Sequence, residues 1–156
     1  MRVSRLFCTG IAVGAIGIAG AAVAAAATHT AASKVVPTVS VRSSAYGKIL
    51  VNSKGITLYL WVKDKGGRSA CSGACASVWP LLLISGKPTA GAGVQPSKLG
   101  EYKTKSGKYE VTYNGHPLYT FVSDLKPGQT TGQGNTTFGG PWWVVTAAGN
   151  AITKKA

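Results

Sequence analysis

Acidic residues are scarce in this chain: four stand against seventeen lysines and arginines in 156 residues, a formal net charge of +13. Histidine is scarcer, with only His29 and His116, and there are three cysteines. No G-x-S-x-G, H-E-x-x-H, P-loop or dinucleotide fingerprint occurs, which removes the hydrolases, zinc proteases and nucleotide enzymes that those motifs mark. A hydrolase of another design would need His116 as its base, and no neighbour in sequence orients it. Beyond the N-terminal segment no stretch keeps a helical apolar period, so the domain is expected to be mainly β. The cations form no block of like charge, and no nucleic-acid recognition motif accompanies them. Nucleic acid is therefore not an expected partner.

The N-terminal segment has the pattern of an export signal. Arg2 and Arg5 precede an uncharged run from Leu6 to Ala27, which ends in Ala22-Val-Ala24 and Ala25-Ala-Ala27. Residues 1–27 therefore read as a signal peptide cut after Ala27. An uncleaved anchor is the rival reading, against which the alanine- and glycine-rich composition argues. Cys8 precedes nearly all of the apolar run, so it is not read as a lipid-attachment site. After cleavage, fifteen cations face four acids (Asp64, Glu101, Glu110, Asp124). That balance favours anionic surfaces, such as cell-wall polymers or lipid headgroups. Cys71 and Cys75 remain, in a compartment where disulfides persist.

What is present is a repeat. GKILVNSKGITLYLWVKD at 47–64 lies over GKYEVTYNGHPLYTFVSD at 107–124 without a gap, with eight of eighteen positions identical. Both copies end in Tyr-x-aromatic-x-x-Asp: Tyr59, Trp61, Asp64 and Tyr119, Phe121, Asp124. Each copy predicts a β-hairpin. Lys48–Val51 and Ile56–Val62 flank Asn52-Ser-Lys-Gly55, and Tyr109–Tyr113 and Pro117–Val122 flank Asn114-Gly115, whose residues tolerate positive φ. Alternation puts Leu58, Leu60 and Val62 on one face and Tyr59 and Trp61 on the other. Leu118 and Val122 answer the first set, and Tyr119 and Phe121 the second. With both faces apolar, the strand is expected to be covered on each side.

The rest of the chain completes two similar halves. A helical turn is expected just before Pro80, which ends it. Strands are expected at Leu81–Ile84, Leu99–Lys103 and Pro141–Thr146, with a loop over 86–96. Residues 28–45 read as a flexible lead-in, in which Val39-Ser-Val41-Arg alternates like an edge strand. The two-repeat β domain is placed at 46–152, with copy one near 46–85, copy two near 106–148 and a basic tail at 153–156. About eight short strands are expected in one antiparallel domain.

Several residues could carry chemistry. Cys71 and Cys75, four apart in an exported domain, read as a local disulfide against Trp79. Alternatively they join His116 as a copper site, since thiolates and imidazole suit Cu(I), or act as a thiol-redox pair. Asp64 and Asp124 read as acceptors for loop N–H groups beyond their strands, with a carboxylate pair as the alternative. Tyr59, Trp61, Trp79, Tyr119, Phe121, Trp142 and Trp143 read as core, with a ligand groove as the alternative. Tyr46, Tyr102, Tyr109 and Tyr113 would add an exposed aromatic face.

These motifs together resemble a bacterial family of secreted proteins and lipoproteins, the secreted repeat of unknown function. The resemblance rests on Gly55-x-Thr57-Leu58-Tyr59-x-Trp61-x-x-Asp64, Cys71-x-Gly73-x-Cys75-Ala76-x-x-Trp79-Pro80 and Gly115-His-Pro117-Leu118-Tyr119-x-Phe121-x-x-Asp124. Gly132-Gln133-Gly134 and Trp143-x-Val145 extend it. No lipid-attachment cysteine follows the signal, and Leu81 stands where a second proline is common. The resemblance implies export and no settled activity. The expectation is an exported cell-envelope protein that binds or builds without catalysis and needs no cofactor. Copper or redox handling is the alternative, and a hydrolase a further one.

Overall fold

The computed structural model describes residues 38–154. The chain runs β1 (Val39–Ser44), β2 (Gly47–Asn52), β3 (Tyr59–Trp61), α1 (Ala74–Val78), β4 (Leu83–Ile84), β5 (Leu99–Lys103), β6 (Tyr109–Tyr113), β7 (His116–Pro117) and β8 (Trp142–Val144). These strands pair with one another antiparallel throughout, and β1 adds an isolated parallel bridge from Val39 to Ala90. The signal segment 1–27, residues 28–37 and the last two residues lie outside the described residues.

Turn chemistry sets the pairings. Asn114 and Gly115 adopt φ of 50° and 79°, the left-handed backbone that suits a two-residue hairpin. They join β6 to β7, with Tyr113 opposite His116 and Thr112 opposite Pro117. In copy one the turn is one residue longer. Asn52 N–H donates to Ile56 O, Val51 faces Thr57, and Gly55 takes φ 78°. The gapless alignment therefore holds from Leu58 onward but slips by one on the preceding strand. Leu50, not Val51, stands where Val111 stands in copy two. Face parity enforces this, because a one-residue slip would swap the core and outer sides of β2.

The third strand of each half is exchanged. In copy one, Leu58 N–H donates to Leu50 O, Leu50 N–H to Val145 O and Val145 N–H to Leu58 O. In copy two, Leu118 N–H donates to Val111 O, Val111 N–H to Leu82 O and Leu82 N–H to Leu118 O. These closed triads match residue for residue. The hairpin of copy one thus takes its third strand from the Trp142 segment, and that of copy two takes the Trp79 segment.

Two cores result, one on each side of the motif strands. Leu50, Leu58, Leu60, Val111, Tyr113, Leu118, Trp143 and Val145 belong to an aliphatic core. Tyr59, Trp61, Trp79, Tyr119, Trp142 and the cysteines belong to an aromatic one. The expected coverage of both faces is found. Val62 and Val122, which alternation assigned to the leucine face, are about half exposed (49% and 46%). The chain leaves the sheet there, turning through Asp64 N–H to Trp61 O and Asp124 N–H to Phe121 O.

The lead-in placed at 28–45 needs correction. Val39–Ser44 is a full strand, paired with β2 from Val39↔Asn52 to Ser44↔Gly47. Val39 is completely buried in the aliphatic core, so the β domain begins before Tyr46. Tyr113 also departs from the expected exposed aromatic face. It is fully buried, with its hydroxyl donating to Ala147 O at 2.9 Å and accepting from Gln95 N–H at 3.0 Å.

Candidate functional site

The repeated motif meets itself at the centre of the fold. Tyr59 and Tyr119 sit opposite one another, each donating its N–H to the other's carbonyl at 2.9 Å. Each phenol then reaches across to the other copy. Tyr59 Oη donates to Asp124 Oδ2 at 2.6 Å, and Tyr119 Oη donates to Asp64 Oδ2 at 2.8 Å. The second oxygen of each carboxylate anchors the loop beyond it. Asp64 Oδ1 accepts from Ala70 N–H at 2.9 Å, while Asp124 Oδ1 accepts from Thr131 N–H at 2.9 Å and Thr131 Oγ1 at 2.6 Å. The spacing of the motif follows from this. The tyrosine and the aromatic two residues later share a strand face, and the turn after them brings the aspartate to the partner tyrosine.

The two pairs share a geometry but not an environment. Asp124 is buried, and Gly132 N–H closes over Tyr59 Oη at 3.3 Å. Asp64 is only partly buried. Tyr119 Oη lies 2.7 Å from Ser69 Oγ, and Glu110 accepts from Ser69 N–H at 3.3 Å. Burial, chiefly, raises the Asp64 carboxyl above its ordinary value of 3.8. Ala70 and Tyr119 pull it back, Glu110 raises it further and His116 lowers it. Burial is also the main reason both phenols titrate far above the usual tyrosine range, reinforced by the facing carboxylates. Both tyrosines are therefore neutral donors at any physiological pH.

The aromatic residues form one interleaved stack. Trp61 lies on Trp142 (centroids 4.9 Å apart, 3° between planes), Trp142 on Trp79 (4.0 Å, 0°) and Trp79 on Phe121 (4.4 Å, 27°). The rings alternate between copies along the stack. Tyr59 meets Trp79 edge-on at 5.3 Å, and Tyr119 meets Trp142 likewise at 5.0 Å, geometries that aromatic quadrupoles favour. All three indole N–H groups of the stack go to one loop. Trp61 donates to Gly140 O at 3.1 Å, Trp142 to Thr137 O at 3.1 Å and Trp79 to Thr137 Oγ1 at 3.3 Å.

Cys71 and Cys75 are disulfide-bonded, with Cα atoms 5.3 Å apart, and are buried against the aromatic core. Trp79 N–H donates to Cys75 O at 2.8 Å, ending α1 as expected before Pro80. Among the described residues no three His, Cys, Asp or Glu side chains are grouped so as to hold a metal ion. Cys71 and Cys75 are bonded to each other, and His116 is not grouped with them in any such set. Among the described residues no hydrogen bond joins the His116 ring to a serine or cysteine. Asp64 and Asp124 each serve a separate tyrosine and are not hydrogen-bonded to one another.

Sequence reasoning missed the residues that complete the site. Ser69, Glu110, Thr131 and Thr137 contribute hydrogen bonds, and nothing in their local pattern marked them. Gly132 did carry a signal, in Gly-Gln-Gly. A Cβ there would lie 2.6 Å from Trp79 Cη2 and 3.1 Å from Tyr59 Cζ.

The fold and site together define a two-repeat antiparallel β domain whose halves exchange strands and hydrogen-bonded motif residues. The chain belongs to the family described as a secreted repeat of unknown function, whose model matches residues 40–82 and 101–146, more than half of the chain. No curated protein and no solved structure matches it. Among the described residues no helix is long and apolar enough to cross a membrane.

Proposed function

We propose that this secreted protein is a non-catalytic binding module of the cell envelope, and that its partner is an anionic wall polymer. One observation carries the reading. Among the described residues thirteen lysines and arginines stand against four acids, and none of the thirteen is ion-paired. Three of the four carboxylates, Asp64, Glu110 and Asp124, are engaged in hydrogen bonds within the domain. All of them except Lys98, which is half-buried with its ammonium donating to Ala148 O, are exposed, where a polyanion can neutralise several at once. On this reading the Tyr-x-aromatic-x-x-Asp motif has a structural role. Its tyrosines and aspartates use their hydrogen-bonding groups on each other, and its aromatic residues on packing.

Export with removal of residues 1–27, and no lipid attachment at Cys8, belong to the same reading. So does the absence of a catalytic centre at His116. The test is co-sedimentation with isolated cell wall. The bound fraction is expected to be high at low ionic strength and to fall steeply as salt shortens the screening length to a few Å. No binding at low salt would overturn it.

A further inference from the structure

Phe138 has a backbone and an exposure that its own stability does not explain. Its φ is 65° and ψ 26°, the left-handed region that a bulky residue avoids because Cβ crowds the following carbonyl. Glycine occupies that region without strain, and Gly139 beside it does so at φ 83°. Burial offsets only part of that cost, since the residue is 40% exposed. A strained, outward-facing aromatic side chain is therefore held in place by something else.

What holds it is the aromatic stack. Thr137 and Gly140, on either side of Phe138 and Gly139, accept all three indole N–H groups of Trp61, Trp79 and Trp142. Thr137 N–H also donates to Asn135 Oδ1 at 2.8 Å. The loop is consequently rigid, and a rigid loop loses little entropy when a ligand docks on it. Lys63 lies along the same loop. A Cβ placed on Gly140 would be 2.9 Å from its Cγ, and one on Gly139 would be 4.0 Å from its Cε. Among the described residues Lys63 has no ion-pair partner.

The geometry points to Phe138 and Lys63 as a subsite for a charged sugar, at which the Phe138 ring stacks on the apolar face of a pyranose and Lys63 meets its phosphate or carboxylate. This rests on the proposed binding of anionic wall polymer and names the feature that distinguishes a glycan from any other polyanion. Scattered cations recognise charge alone, whereas a presented aromatic ring recognises the C–H face of a sugar. Nothing in copy one answers it, since residues 65–78, the loop ahead of Trp79, contain no aromatic side chain.

The test compares two soluble probes, polygalacturonate, which carries sugar rings, and polyphosphate, which carries none. Phe138→Ala is expected to weaken polygalacturonate binding roughly three- to tenfold, the scale of one aromatic contact, and to leave polyphosphate binding unchanged. Lys63→Gln is expected to weaken both. Equal binding of polygalacturonate by wild type and Phe138→Ala, with polyphosphate still bound, would overturn the subsite and leave the wall-polymer reading intact. Failure of the wild type to bind either probe at low salt would overturn both. Phe138→Ala losing affinity only for vesicles containing anionic phospholipid would assign the ring to a membrane surface and overturn the subsite.

Discussion

Tyr59 and Tyr119, sixty residues apart in sequence, are mutual backbone partners, N–H to carbonyl at 2.9 Å in both directions. This pair marks the pseudo-twofold of the fold. Around it every motif residue of one copy has its counterpart in the other, and the hydrogen bonds of each phenol cross the axis. A single copy would lack its third strand and leave its tyrosine hydroxyl and aspartate carboxylate unpaired. The repeat is therefore one cooperative unit, not two linked modules.

Removing the Tyr59 hydroxyl should be costly. Tyr59→Phe leaves the buried Asp124 carboxylate short of a donor, and a loss of about 1–3 kcal/mol is expected by denaturant unfolding. Tyr119→Phe should cost less, because Asp64 is partly exposed and water can replace the phenol. Equal losses would show that the two pairs are equivalent in environment as well as in geometry.

Gly132 should not tolerate a side chain. Its Cβ would meet Trp79 Cη2 at 2.6 Å inside the aromatic core. Overpacking of that kind costs about 1–3 kcal/mol, so Gly132→Ala should lower Tm by several degrees and disturb the near-ultraviolet dichroism of the stack. Gly107→Ala offers the contrast. A Cβ there meets nothing, yet φ is 82°, so only the backbone cost applies and the near-ultraviolet signal should be unchanged.

Alkaline pH should unfold the protein through its tyrosines. Both phenols have folded-state values raised above 10.0, mainly by burial. Their contribution is intact below about pH 10 and declines above it, where the unfolded chain ionises and the folded chain does not. Asp64 acts in the same sense at acid pH. Its raised value means that folding favours the protonated form, so its contribution is full below 3.8 and is lost as pH rises through the folded value. Asp64→Asn should flatten stability against pH in that acid window, and Tyr119→Phe should reduce the alkaline decline. A profile unchanged by either substitution would contradict these assignments.

Reducing the Cys71–Cys75 bond should cost about 2 kcal/mol, the scale for so short a loop. With the proposed cut after Ala27, the mature protein should show no free thiol. A folded protein with two reactive thiols would contradict the bonded pair and reopen copper binding.

Local chemistry made much of this legible in advance. Asn114-Gly115 announced its hairpin, Pro80 ended α1, and alternation through Leu58, Tyr59, Leu60 and Trp61 announced two covered faces. The register of β2 was not legible, because identical Val51 and Val111 invited a gapless alignment that the longer turn at Ser53–Gly55 breaks. Strand exchange was hidden for another reason. The Trp79 and Trp142 segments follow their own hairpins in sequence, and only three-dimensional closure pairs each with the other. Ser69, Thr131 and Thr137 were invisible because each is a small polar residue in a loop, distinguished only by what it faces.

The most direct test of the cross-copy arrangement is a pair of double-mutant cycles in unfolding free energy. One joins Tyr59→Phe with Asp124→Asn, across the two copies; the other joins Tyr59→Phe with Asp64→Asn, within one. Coupling of about 1–3 kcal/mol is expected in the first cycle and close to zero in the second. Coupling in the second cycle, or none in the first, would contradict the exchange of hydrogen-bonded partners on which this account of the fold rests.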